Sequence, residues 1–133
     1  MSSESLHEAA DKLSPATIDR HRATVSLMEE LEAIDWYDQR IDAATDPALK
    51  EILRHNRDEE KEHAAMVLEW LRRQDPVIDK QLRAYLFKEG DITAVEAEME
   101  GRGAAEDAAA ATDGDVSDGS LGIGDLRGKE VAP

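Results

Sequence analysis

Glu60 and His63 stand three residues apart and pair a carboxylate with an imidazole, the ligand types that hold a divalent transition metal in the absence of thiolates. On a helix this spacing puts both side chains on one face, a turn apart, where they can reach one ion together. They interrupt a stripe that is otherwise mostly apolar. Leu49, Leu53, Asn56, Glu60, His63/Ala64, Val67 and Leu71 follow the i, i+4, i+7, i+11 rhythm of a core-facing helix. A third candidate ligand, Glu30, lies in an upstream stripe with Leu27, Leu31, Ile34, Tyr37 and Ile41. Burying an unpaired carboxylate costs several kcal/mol, and a multivalent cation shared by the three would offset that cost. The bland alternatives are a surface pair of Glu60 with His63, or a Glu30 neutralised by His63 or Arg57.

Composition narrows the chemistry. The 133 residues contain no cysteine, which excludes disulfides, thiolate zinc sites and iron–sulfur clusters, so a metal must be held by oxygen and imidazole. A formal charge of -15 argues against nucleic acid as a partner and for the attraction of cations. Charged residues make up 35% and aromatics 4%, a balance that suits helices, and no strand pattern appears. No apolar run approaches the roughly 18 residues that span a bilayer, and no basic-then-apolar leader opens the chain. A soluble, cytoplasmic protein without membrane or nucleic-acid partners is expected.

The elements that must position these groups are marked by proline. Ser14-Pro15, Asp46-Pro47 and Asp75-Pro76 each pair an N-cap residue with a proline suited to the first helical turn. The spacing predicts a first helix from Pro15 to about Asp42, a second from Pro47, and a third over about Pro76 to Lys88 that stops at Gly90. Ile78, Leu82, Tyr85 and Leu86 form the sticky side of the third. The link Ala43-Ala44-Thr45-Asp46 is short enough to make the first two helices an antiparallel hairpin. Glu30 lies fifteen residues before Thr45 and Glu60 fifteen after it, so the two should stand level. Thr93 and Glu96 suggest a capping box for a short helix ending near Glu100.

The expected organisation is a frayed segment 1–13, a helical domain 14–100, a flexible Gly/Ala/Asp/Ser linker 101–118 and a tail 119–133. In that tail Leu121, Ile123 and Leu126 are spaced by glycines and small polar groups, a pattern suited to laying aliphatics into another protein's groove or simply to a frayed end.

A Glu on one helix level with a Glu-x-x-His on its neighbour is half the ligand set of ferritin-like di-iron carboxylate bundles. Two chains related by a two-fold axis would complete it. The fold class expected is therefore all-α: a two-helix hairpin with short C-terminal helices, dimerising into a ferritin-like four-helix bundle. Weaker clusters accompany this one. His55, Glu59 and Glu62 follow i, i+4, i+7 and can hold an ion near the surface, or form a solvated charge run. Glu29 and Glu32 flank a second apolar patch of Ile18, Val25 and Trp36, which suggests a second protein interface rimmed by carboxylates. Trp36 and Tyr37 can act as redox-active or supporting neighbours of the metal site, or as packing aromatics.

Three segments, Met28-Glu29-Glu30-Leu31-Glu32, Asp35-Trp36-Tyr37-Asp38-Gln39-Arg40 and His55-Asn56-Arg57-Asp58-Glu59-Glu60-Lys61-Glu62-His63-Ala64-Ala65-Met66, together with His21-Arg22, resemble the encapsulated ferritins. Asp118-Gly119-Ser120-Leu121-Gly122-Ile123-Gly124-Asp125-Leu126 resembles the docking peptides that send cargo into encapsulin nanocompartments. The resemblance covers about Thr17 to Glu100 and the tail, with nothing to match in the first thirteen residues or in Gly101 to Ser117. It implies a ferroxidase that oxidises Fe(II) to Fe(III) for iron storage. Glu30, Glu60 and His63 of each chain would hold two irons per dimer, with Glu60 bridging and Tyr37 nearby. It further implies a homodimer assembling into an open decameric ring. Glu29, Glu32 and Trp36 would form an iron passage, His55, Glu59 and Glu62 an outer metal site, and residues 119–128 the contact with the shell, whose lumen would house the protein. Two rival readings are a non-catalytic helical cargo adaptor and a di-metal peroxidase of the rubrerythrin kind. The second would want an electron-transfer domain for which this chain has neither length nor cysteines.

Overall fold

A computed structural model of the chain describes residues 5–113, with side chains to residue 110. Four α-helices follow one 3-10 turn, Ala10–Lys12: α1 (Pro15–Ala43), α2 (Pro47–Gln74), α3 (Pro76–Tyr85) and α4 (Ile92–Asp113). The described residues are all-helical, as expected. Each proline-marked start is present. The Ser14 side chain accepts from the Thr17 N–H at 3.1 Å, Asp46 from Leu49 at 3.0 Å, and Asp75 from both Val77 and Ile78 at 2.9 and 3.1 Å. These acceptors satisfy first-turn N–H groups that have no partner within their helix.

The chain divides into two units, residues 1–86 and 87–133. In the first, α1 and α2 pack along each other as a hairpin joined by Ala44-Thr45-Asp46, and α3 packs on α2. Arg57 on α2 reaches Asp38 on α1 at 3.0 Å and ties the two helices across the hairpin. Only Ile41, Ala64 and Leu71 are buried among the described residues, and each keeps 7 or 8% of its surface exposed. A two-helix hairpin has too little volume to enclose more, so large apolar side chains remain at its surface. Leu31 and Leu49, expected in the core stripes, are among these exposed residues, with Trp36, Ile52, Met66 and Val77. Each helix has a single neighbour along this hairpin, and a stripe wider than that one contact keeps its edge in solvent.

At the elbow between α2 and α3 a charged cluster holds the shorter helix. The Arg72 guanidinium donates to both Glu69 oxygens at 2.6 and 2.7 Å and to Asp79 of α3. Arg73 also binds Glu69, and Arg83 binds Asp79. α3 ends at Tyr85 rather than at Lys88. Leu86 already turns to an extended backbone with ψ of 147°, and Phe87 follows with a left-handed φ of 58°, so the element closes before Gly90.

The second unit contains α4, which departs most from expectation. Its first turn is capped by Asp91, which accepts from the Thr93 N–H at 3.1 Å and the Thr93 hydroxyl at 2.9 Å, so Thr93 is not the cap. The helix continues through Gly101 and Gly103 to Asp113, over a stretch expected to be linker. Alanine supplies the reason, since Ala104, Ala105 and Ala108–Ala111 carry the best intrinsic helix propensity and offset two glycines that cost about 1 kcal/mol each. The 3-10 turn likewise falls within the N-terminal stretch expected to be frayed. The tail 119–133 lies outside the described residues.

Candidate metal centre

Glu30 comes from the middle of α1, and Glu60 and His63 from the middle of α2. The antiparallel hairpin brings their ligand atoms within 4.8 Å of one another, the only such group of three His, Asp or Glu side chains among the described residues. His63 Nδ1 lies 3.2 Å from Glu60 Oε2 and 3.7 Å from Glu30 Oε2. The carboxylates are 24% and 25% exposed, while the imidazole is 45% exposed. The trio therefore faces outward on one side rather than closing into a sealed core. Arg57 is engaged by Asp38 and Asp58, so it is not the group that neutralises Glu30.

Electrostatics show what the cluster does with protons. A hydrogen bond with Glu60 raises the Glu30 pKa, assisted by partial burial and by the Glu60 charge. The same bond lowers Glu60, whose carboxylate also accepts from His63. That contact with Glu60 raises His63. Glu30 and Glu60 act as one pair that favours a shared proton, beside an imidazole that favours its charged form. Two carboxylate oxygens and one imidazole nitrogen converge here, a donor set suited to divalent iron, manganese or zinc.

The other candidate residues are placed differently. His55 and Glu59 pair at 2.9 Å, whereas Glu62 lines a groove with Ala65, Met66, Glu69, Trp70 and Arg73 and does not join them in a three-ligand group. Glu29 and Glu32 are exposed, as is Trp36. Tyr37 is partly buried and lies under the Arg40 guanidinium, 5.5 Å from ring centroid to charge. It sits about 10 Å along α1 from Glu30 at the usual helical rise. Sequence reasoning missed the Arg57–Asp38 bridge and the Arg72 cluster. Long arginine side chains reach partners that no simple periodicity reveals.

An antiparallel helical hairpin carrying one Glu opposite a Glu-x-x-His has the elements of a ferritin-like carboxylate protein. Residues 5–89 match the EncFtn-like family, and the chain belongs to this family of encapsulated ferritin-like proteins. It is 60% identical over 129 residues to an encapsulated ferritin-like protein of Rhodospirillum rubrum, covering 96% of this chain and 91% of that protein. A ferritin-like protein of Thermotoga maritima is 50% identical over 95 residues, 71% of this chain and 83% of its own. An encapsulin nanocompartment cargo protein of Myxococcus xanthus is 44% identical over 52 residues, 39% of this chain and 40% of its own. Among solved structures, a crystal structure of a Nitrosomonas europaea protein superposes with a TM-score of 0.64 at 59% identity, covering 65% of this chain and 96% of the other. The family match starts at residue 5, well before Thr17, and the R. rubrum protein aligns with nearly the whole chain. The stretches expected to match nothing thus have counterparts.

Proposed function

We propose that this protein oxidises Fe(II) to Fe(III) at a di-iron site built by two copies of the chain. The observation that carries the reading is the convergence of Glu30, Glu60 and His63 on one partly open face of the hairpin. One chain supplies a Glu and a Glu-x-x-His, and a second copy related by a two-fold axis supplies the same again, which makes the full ferritin-like set. The apolar side chains left exposed on both long helices support such an association. Iron enters as substrate, two ions per dimer, each able to give one electron to dioxygen. The residues bind and orient the ions, and Glu60 bridges them. The acidic surface of a chain with formal charge -15 draws further cations toward the site.

Membership in an encapsulated family and similarity to a named cargo protein support a place inside an encapsulin compartment, reached through residues 119–128 and lying in a bacterial or archaeal cytoplasm. No helix of the described residues is long and apolar enough to cross a membrane. The ferric product passes to the shell for storage, and dimers assemble into an open decameric ring that holds little mineral itself. Glu29, Glu32 and Trp36 serve iron passage, Tyr37 supports the site, and His55, Glu59 and Glu62 form an outer metal site. The test is the rate of Fe(II) oxidation by Glu30→Ala and His63→Ala variants that retain assembly. Loss of at least about tenfold is expected, on the scale seen when groups around a metal are removed. Full rates would leave the trio as structural ion pairs of a non-catalytic adaptor.

A further inference from the structure

The core-facing stripe of α2 carries three polar side chains, and the proposed reaction uses two of them. Glu60 and His63 are ligands, while Asn56 stands on the same line without a task. At about 100° per residue, Asn56 points about 40° from Glu60, one turn before it, and about 20° from His63, two turns before it. Its side chain is half-buried, and among the described residues its carboxamide has no hydrogen-bond partner. Ile34, which like Asn56 lies eleven residues from Thr45 and so stands level with it on α1, is apolar and offers none. Asparagine is a poor residue for the middle of a helix, because its amide competes for backbone partners. An apolar side chain would suit both the helix and the stripe, and a local rule broken in this way points to a task at a site.

Two relationships direct the amide to Glu60. On a helix an amide and a carboxylate at i and i+4 are within hydrogen-bonding reach. The Glu60 side chain also leans toward the helix N-terminus, over the turn that carries Asn56. Glu60 in turn needs a donor. His63 Nδ1 is the nitrogen that faces both carboxylates, 3.2 Å from Glu60 Oε2 and 3.7 Å from Glu30 Oε2. Once it ligates an ion it no longer donates to Glu60. The second copy that completes the site covers this same face, so water that reaches the amide in one chain is displaced, and a buried amide must find its partner within the protein.

We propose that Asn56 is a positioning residue of the metal centre: its side-chain N–H donates to the Glu60 carboxylate and fixes the orientation in which that carboxylate bridges two ions. An ionised carboxylate accepts at about four positions, so one donor from the side leaves lone pairs for both ions. The inference rests on the two-chain ferroxidase reading.

The experiment compares the full-length parent with Asn56→Leu, which removes the amide at similar size, and Asn56→Gln, which keeps it on a longer arm. Fe(II) binding is measured by calorimetry without oxygen, Fe(II) oxidation by absorbance, and the thermal midpoint by helical circular dichroism. Asn56→Leu should lower Fe(II) affinity and oxidation rate by about 10- to 100-fold, the range for groups that orient metal ligands, with a thermal midpoint no lower than that of the parent. Asn56→Gln should recover part of both losses. Unchanged affinity and rate in Asn56→Leu would overturn the proposal. So would an Asn56→Gln variant that loses as much as Asn56→Leu, since side-chain shape and not a donor would then be at stake. A lower midpoint in Asn56→Leu would overturn it too, by tying the amide to the fold. A parent that neither binds nor oxidises Fe(II) would overturn the ferroxidase reading as well, and the parent trace separates that failure from the others.

Discussion

Glu30 of α1 and Glu60 of α2 meet across the hairpin, their carboxylate oxygens within 4.8 Å of each other, although thirty residues separate them in sequence. Because both lie fifteen residues from Thr45, the turn alone sets them level, and His63 completes the group one helical turn further on.

This pairing ties metal uptake to pH. Glu30 and His63 hold protons more tightly than free side chains do, through their contacts with Glu60, and a metal must displace those protons. Raised values mean that competition strengthens as pH falls through the histidine range toward the carboxylate range. Fe(II) or Zn(II) affinity is expected to drop across that interval with proton release on binding. Calorimetry in buffers of different ionisation enthalpy measures the protons released, and His63→Ala should release fewer.

The elbow between α2 and α3 should also weaken in acid, but through carboxyls whose pKa values are lowered rather than raised. Arg72 and then Arg73 hold the Glu69 carboxyl down to about 2, and Arg72 likewise lowers Asp79. A depressed carboxyl contributes stability that is present above its unfolded value near 4.5 and is lost as pH falls through its folded value. Glu69→Gln should raise the pH midpoint of acid unfolding, followed by helical circular dichroism, and added salt should shrink the difference between variant and parent.

Helix α4 offers a test of intrinsic propensity. Gly101 and Gly103 have open space where a Cβ would stand, so alanine at either meets no obstacle. Gly101→Ala with Gly103→Ala should stabilise the helix by about 1 kcal/mol per site and raise helical circular dichroism. No gain in helicity would contradict a helix through this stretch.

The proline-marked caps and the hairpin were legible in the sequence because each depends on a few adjacent residues, such as Asp46-Pro47, whose geometry is local. The Glu30–Glu60–His63 group was legible because a short turn converts sequence spacing into height. What escaped was of two kinds. The length of α4 was hidden because glycines at 101 and 103 signal a break that six nearby alanines outweigh. The exposure of Leu31 and Leu49 was hidden because periodicity marks an apolar face without saying whether this chain or another covers it. The Arg72 cluster has no periodic signature, since it depends on the angle at which α3 leaves α2.

The central claim is most directly tested by native mass spectrometry of the full chain titrated with Fe(II) without oxygen, beside Glu60→Ala. Iron taken up in pairs per two chains, with pairing lost in the variant, is the result expected of a shared di-iron site. Uptake without pairing, or pairing that survives Glu60→Ala, would contradict it.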